Sequence, residues 1–119
     1  MKISVKEEPD LMIVELSGDD SNPEAMEEFK RVMQMAINRE VLTPLTLDLS
    51  ELYYLGSEGV GVIAAAHKAF LERRSKIIVR NPTRQVSRVF MVTRLDSYLH
   101  IQRDGDGRTS AVTATLSRK

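Results

Sequence analysis

Strand-like and helix-like segments alternate along most of this chain, and this alternation restricts its possible folds more than any other feature. Two short apolar segments flank the turn-forming pair Pro9-Asp10 and are typical of a β-hairpin. The predicted elements are strands at 3–7 and 11–16, a helix at 23–39, a strand at 45–49, a helix at 60–72, a strand at 76–80, a helix at 83–92 and a strand at 98–101. This β-β-α-β-α-β-α-β order predicts an α/β fold with a mixed, mostly parallel sheet and helices packed on it.

Residue types at the helix starts support these assignments. Asn22 precedes Pro23 and Glu24, which is the usual order of an N-cap, a first helical position and an acidic first turn. Thr83 is predicted to cap the third helix. The first half of the second helix, residues 60–66, is small and apolar on almost every face. We expect that half to be buried against the sheet or against a partner.

The composition is that of an ordinary globular domain of 119 residues. Seventeen basic residues balance seventeen acidic ones, so net charge gives no attraction to nucleic acid or to an anionic membrane. The chain has no cysteine, which excludes disulfides and suits a reducing compartment. It has neither the apolar core of a signal peptide nor an apolar run of about 18 residues that could cross a bilayer. We expect a cytoplasmic domain at 1–102, without nucleic-acid binding or membrane insertion, and a tail at 103–119 that is flexible or adds a weak strand.

Side chains suited to catalysis or metal binding are sparse. His67 lies in the second helix and His100 in the last strand, and neither has the spacing of a metal ligand set. The segment 104–107, Asp-Gly-Asp-Gly, resembles the start of a calcium loop but lacks the later carboxylates. The glycines at 56, 59 and 61 match neither a dinucleotide-binding fingerprint nor a phosphate-binding loop. We therefore expect no enzyme activity, no cofactor and no metal site.

The segment Gly56-Ser57-Glu58-Gly59 is the strongest candidate site. A strand before it and a helix after it place backbone N–H groups at a helix N-terminus, where negative charge is favoured. Ser57 is the predicted N-cap, and Glu58 in the first turn interacts favourably with the helix dipole. These residues fit a well-capped helix, and their small size also fits a surface that a partner can approach closely.

Five segments, taken in order, resemble the STAS domain, the family of anti-sigma factor antagonists. They are residues 14–19, 47–50, 56–62, 79–82 and 89–96. Residues 56–62, Gly-Ser-Glu-Gly-Val-Gly-Val, are similar to the family's Asp-Ser-Ser-Gly-Leu-Gly-Val, and the resemblance extends over 3–101. It implies a regulatory protein that binds an anti-sigma factor with serine kinase activity. The implied partner-binding residues are Gly56, Ser57, Glu58, Gly59, Val60 and Gly61.

The candidate site departs from the family pattern at two positions. In the family, the kinase phosphorylates the second serine, and the phosphorylated form does not bind the partner. Here glycine replaces the aspartate at position 56, and Glu58 occupies the position of the phosphorylatable serine. Glutamate carries one negative charge against about −1.5 to −2 for phosphoserine, so it imitates the phosphorylated form in part. We favour a switch fixed in one state, in which the domain binds its partner constitutively or not at all. The alternative is phosphorylation of Ser57, whose hydroxyl would be partly occupied as an N-cap.

The resemblance leaves two other functions open. One is a scaffold subunit of a signalling assembly, in which self-association matters most, and the other is a soluble subunit of a lipid or anion transport system. The chain also has a group of basic residues that could contact an acidic partner, although a solvated face fits them better. These residues are Arg80, Arg84, Arg88 and Arg94.

Overall fold

The computed structural model describes residues 1–19, 22–39 and 43–103. Its elements are β1 (Lys2–Glu8), β2 (Leu11–Asp19), α1 (Pro23–Ile37), β3 (Leu45–Tyr54), α2 (Ser57–Glu72), β4 (Ile77–Arg80), α3 (Arg84–Val92), a 3-10 turn (Leu95–Ser97) and β5 (His100–Gln102). The predicted order of strands and helices is confirmed. Residues 104–119 lie outside the described part of the chain. The prediction that the tail at 103–119 is flexible or adds a weak strand therefore stays a prediction.

The strands of the described chain form one sheet whose spatial order is the same as their sequence order. β1 and β2 pair antiparallel as a hairpin, and the later neighbours pair parallel. Each parallel pair is joined through a helix, as parallel connections require. The predicted α/β fold with a mixed, mostly parallel sheet is therefore confirmed, with β1 and β5 as its edges.

The hydrophobic core lies between the sheet and the helices. Each helix contributes one phenylalanine that is almost completely buried: Phe29 from α1, Phe70 from α2 and Phe90 from α3. These side chains belong to the same cluster as alternate residues of β2 and β3. Since side chains alternate between the two faces of a strand, all three helices pack on one face. The intervening residues of β2, such as Glu15 and Ser17, lie on the opposite, more exposed face.

The starts of α1 and α3 are capped by side chains, as predicted. The Asn22 Oδ1 accepts hydrogen bonds from the backbone N–H groups of Glu24 at 2.8 Å and Ala25 at 3.5 Å. The Thr83 hydroxyl oxygen accepts from the Val86 N–H at 3.4 Å. The same hydroxyl donates to the Leu52 carbonyl at 2.7 Å. Thr83 therefore caps α3 and also fixes this end of the helix to β3.

Several predicted boundaries were wrong. β3 continues to Tyr54 instead of ending at residue 49, with irregular pairing to β2 along its second half. α1 ends at residue 37, before the predicted end at 39. The last strand begins at residue 100 because the 3-10 turn, which follows Arg94 at a φ of 64°, takes up the preceding residues.

Candidate partner-binding site

The candidate site lies where β3 leaves the sheet and α2 begins. Leu55 is buried, and Gly56 follows it as the N-cap of α2 with extended backbone angles. The Gly56 carbonyl accepts the first helical hydrogen bond from the Val60 N–H at 3.0 Å. The prediction of Ser57 as the N-cap was wrong, and so was the predicted helix start at residue 60. Because glycine has no side chain, α2 starts without a side-chain cap.

Ser57 is the first residue of α2 and is exposed. Its hydroxyl has no hydrogen-bond partner within residues 1–19, 22–39 and 43–103. The expected occupation of this hydroxyl by a capping bond therefore does not occur in the described structure. Ser57 presents a solvent-accessible oxygen in the first turn of the helix, where the helix dipole favours negative charge.

Glu58 joins α2 to α1 through an ion pair. Its Oε2 lies 2.6 Å from the Nζ of Lys30, which also lies 3.3 Å from the Oε1 of Glu27. Hydrogen bonding to Glu58, and secondarily to Glu27, raises the pKa of Lys30 above its ordinary value of 10.5. The carboxylate at position 58 thus has a cationic partner in its own chain, 28 residues away in the sequence.

The small residues that follow Glu58 have different environments. Gly59 is buried and Val60 is partly buried, whereas Gly61 is exposed. A Cβ atom at position 61 would have no heavy atom within 4 Å, apart from neighbours in the chain and its own helix backbone. Packing within the described chain therefore does not require glycine at position 61, and its absent side chain leaves the surface open.

A shallow groove of about 440 Å³ lies between α1 and α2. The expectation that the first half of α2 is buried is confirmed only in part. Part of that half packs in the core through Ile63 and Ala66, but Ala65 remains exposed along the groove. The groove is lined by residues of both helices, among them Met33, Gln34 and Ile37 of α1 and Val62, Ala65 and Ala69 of α2.

Two tyrosines beside the site were missed from the sequence. Tyr53 and Tyr54 are 58% and 55% exposed at the end of β3, and Tyr54 pairs with Asp19 of β2. The sequence pattern predicts a connection at residues 50–55, because the predicted strand ends at residue 49. The sequence feature that could have indicated them is a pair of adjacent tyrosines before a glycine-rich turn, since aromatic residues are enriched in protein interfaces.

A second polar cluster lies on the open face of the sheet. Asp48 accepts hydrogen bonds from the Ser50 hydroxyl at 2.7 Å, the Ser50 N–H at 3.0 Å and the Arg80 guanidinium at 3.2 Å. Burial alone would raise the pKa of Asp48, but these hydrogen bonds outweigh it and hold the pKa below 3.8. Arg80 therefore joins β4 to β3, whereas Arg84 and Arg88 remain exposed on α3.

The two histidines lie on different elements of the described chain. The His67 ring packs against Tyr98 with centroids 6.1 Å apart, and His100 is exposed on β5. No group of three or more histidine, cysteine, aspartate or glutamate residues within the described ranges could hold a metal ion. The segment 104–107, considered as a partial calcium loop, lies outside those ranges. No helix in the part of the chain that the structure describes is long and apolar enough to cross a membrane.

The family model described as "Mlab, STAS domain" matches residues 3–102, which include the described fold apart from the first residue of β1. The chain belongs to the STAS domain family. It is 31% identical over 58 residues to the anti-sigma-B factor antagonists of Listeria monocytogenes and Listeria innocua. That alignment covers 49% of this chain and 51% of each relative, so it spans about half of the curated proteins.

Solved structures of anti-sigma factor antagonists share the fold of this STAS domain. The unphosphorylated form of SpoIIAA superposes with a TM-score of 0.74 at 18% identity, covering 89% of this chain and 92% of SpoIIAA. An antagonist from Mycobacterium paratuberculosis gives a TM-score of 0.70 at 19% identity, covering 85% and 84% of the two chains. The phosphorylated form of the Bacillus protein SpoIIAA gives 0.70 at 17% identity, covering 89% and 96%. At these identities the likeness shows a common fold.

Proposed function

We propose that this STAS domain is a cytoplasmic regulatory protein that binds an anti-sigma factor and has no enzyme activity. Family membership and the 31% identity to anti-sigma-B factor antagonists support this class of partner. The observation that carries the proposal is the open N-terminus of α2, whose exposed surface combines polar, aromatic and unobstructed backbone groups. We call this the switch surface: Tyr53, Tyr54, Ser57, Glu58 and Gly61.

Position 58 holds this surface in the partner-binding state. Glu58 carries one negative charge, and the Lys30 ammonium lies 2.6 Å from it. A phosphoserine would bring a charge of about −1.5 to −2, which a single lysine does not neutralise. Lys30 also pairs with Glu27, so Glu27, Lys30 and Glu58 together carry about one negative charge. A phosphoserine at position 58 would leave a larger negative charge, so the repulsion expected from a phosphorylated surface is reduced here. The proposed result is a domain that binds its partner constitutively.

Phosphorylation of Ser57 is a second candidate mode of regulation. It is favoured by the exposed Ser57 hydroxyl, which forms no hydrogen bond within the described residues. A phosphate on Ser57 would lie at the N-terminal end of α2 and next to Glu58 in the chain. The additional charge would exceed what Lys30 balances and would turn partner binding off.

Affinity capture from the native cytoplasm tests the proposal directly. The wild-type chain is expected to retain an anti-sigma factor, whereas Gly61→Lys is expected to lose at least about tenfold in affinity because a long cation fills the open surface. Leu71→Lys is the matched control, since it adds the same charge at an exposed position near the other end of α2. Equal loss in both variants, or no anti-sigma factor on the wild type, contradicts the proposal.

Phosphopeptide mapping after co-expression with the native kinase separates the two modes of regulation. The fixed state predicts no phosphate on the wild type and phosphate at position 58 in Glu58→Ser. Phosphate on Ser57 of the wild type would instead establish the second mode. The same capture experiment addresses the other functions, because a scaffold subunit would retain the components of a signalling assembly and a transport subunit would retain membrane transport proteins.

A further inference from the structure

The zero net charge of this chain conceals a strong separation of charge. Residues 1–58 contain thirteen acidic and five basic residues, whereas residues 59–103 contain nine basic and two acidic ones. Since the strands occur in space in their sequence order, β1 and β2 of the acidic segment lie on one side of the central strand β3, and β4 and β5 of the basic segment lie on the other. We call β1, β2 and α1 the acidic half of the molecule and β4, α3 and β5 the basic half; α3 also contacts the central strand β3.

The basic half has an exposed helix surface without any acidic residue. Arg84 and Arg88 lie one turn apart on α3, and neither forms an ion pair within the described residues. Arg103 is held beside them, with its guanidinium donating to the Ser87 hydroxyl at 2.7 Å and to the Pro82 carbonyl at 3.2 Å. Met91 and Val92 continue this side of α3 and are 62% and 78% exposed. We call these five residues the α3 surface: Arg84, Arg88, Met91, Val92 and Arg103.

The acidic half has a helix surface with a matching pattern. Glu24, Glu28, Arg31 and Met35 share one face of α1, and all four are exposed. We call them the α1 surface. Glu24 and Glu28 form no ion pair within the described ranges, and both border a shallow depression of about 570 Å³. Their four-residue spacing, about 6 Å along the helix axis, equals that of Arg84 and Arg88, so two helices with aligned axes can form both ion pairs together.

We propose that this chain associates with copies of itself head to tail, with the α3 surface of one copy against the α1 surface of the next. Each copy carries both complementary surfaces, on two different helices, so a second copy supplies the charge pattern and the apolar contact that each surface lacks. Arginine and methionine, which the α3 surface exposes, are enriched in protein interfaces. Such an interface is heterologous and leaves one surface free at each end, so it extends into longer assemblies.

The association is weak and sensitive to salt, because exposed ion pairs are worth little individually and are screened by ions. In sedimentation velocity at low ionic strength, the wild-type sedimentation coefficient is expected to rise with protein concentration. At about 1 M salt, where the Debye length is about 3 Å, it is expected to return to the monomer value. Wild-type chain that stays monomeric at low salt at every concentration overturns the proposal.

Paired charge reversals locate the interface. Arg84→Glu/Arg88→Glu and Glu24→Lys/Glu28→Lys are each expected to weaken self-association by at least about tenfold. An equimolar mixture of the two variants is expected to associate again, since it contains one native and one charge-swapped interface. Association that survives either variant, or a mixture that stays monomeric, contradicts this arrangement.

A matched control separates local contact from total charge. Lys2→Glu/Lys6→Glu changes the net charge as much as Arg84→Glu/Arg88→Glu does, but it places the new charge on exposed positions of β1. It is expected to retain self-association, and a loss equal to that of the arginine variant argues against the proposed surfaces. Circular dichroism establishes that each variant is folded. The α2 switch surface takes no part, so this test and the anti-sigma factor capture can fail independently.

Discussion

The N-termini of α2 and α3 differ in how they are capped. Thr83 caps α3 with its side chain and also bonds to the Leu52 carbonyl, so the helix start is held firmly to the sheet. α2 begins at Gly56 without a side-chain cap, and its first turn presents Ser57 and Glu58 to solvent. The comparison indicates that the N-terminus of α3 contributes to stability. The N-terminus of α2 lacks a stabilising side-chain cap at the place where a partner is proposed to bind.

The largest expected effect is on the α3 side of this comparison. Thr83→Ala is expected to lower the free energy of unfolding by about 1–2 kcal/mol, because it removes both the cap and the bond to Leu52. Urea denaturation measures this change. Asn22→Ala, which removes only a cap, is the control and is expected to cost about 1 kcal/mol. Equal losses in the two variants would show that the bond to Leu52 adds nothing.

A substitution at Gly61 tests whether the glycine that keeps the α2 surface open lowers the stability of the fold. Gly61→Ala is expected to raise the free energy of unfolding by about 0.5–1 kcal/mol, because alanine is the better helix former and its Cβ meets open space. Thermal or urea denaturation measures the gain. A destabilised variant would mean that glycine at this position is needed by the fold and not by a partner.

A smaller effect is expected at the α2 cap itself. Gly56→Asp is expected to stabilise the chain by only a few tenths of a kcal/mol, since glycine is already a tolerated N-cap and the extended backbone there suits any residue. Gly56→Ala, which adds bulk without a capping oxygen, is the comparison for the same denaturation experiment. If aspartate gave no gain over alanine, the missing side-chain cap would not explain the difference between α2 and α3.

The smallest expected change in stability concerns the ion pair beside α2. Because the folded pKa of Lys30 is raised, the pair stabilises the chain fully below pH 10.5 and loses this contribution as the pH rises through the folded pKa. Glu58→Gln is expected to lower the pKa of Lys30 measured by NMR titration. Its difference in stability from the wild type should disappear at strongly alkaline pH. An unchanged Lys30 pKa would contradict the pairing.

Local chemistry explains which helix starts were predictable. Asn22 and Thr83 are predicted as N-caps because their oxygens suit that position and the residues after them favour a helix, and both hold it. Ser57 is predicted for the same reason, yet Gly56 holds the position. Where α2 begins depends on where β3 ends, and β3 continues to Tyr54 through irregular pairing with β2. That pairing is a contact between distant segments, which no pattern within 50–60 reveals.

The sequence by itself determined the order of the elements, two of the three helix caps and the α2 N-terminus as the candidate site. Hydrophobic period and capping preference act over a few residues, so they can be read along the chain. Only the tertiary structure decided that Lys30 meets Glu58, that Tyr53 and Tyr54 flank the site, and that a neutral chain has an acidic and a basic half. These features depend on how the helices pack and in which order the strands pair, and both are set by contacts between residues far apart in the sequence.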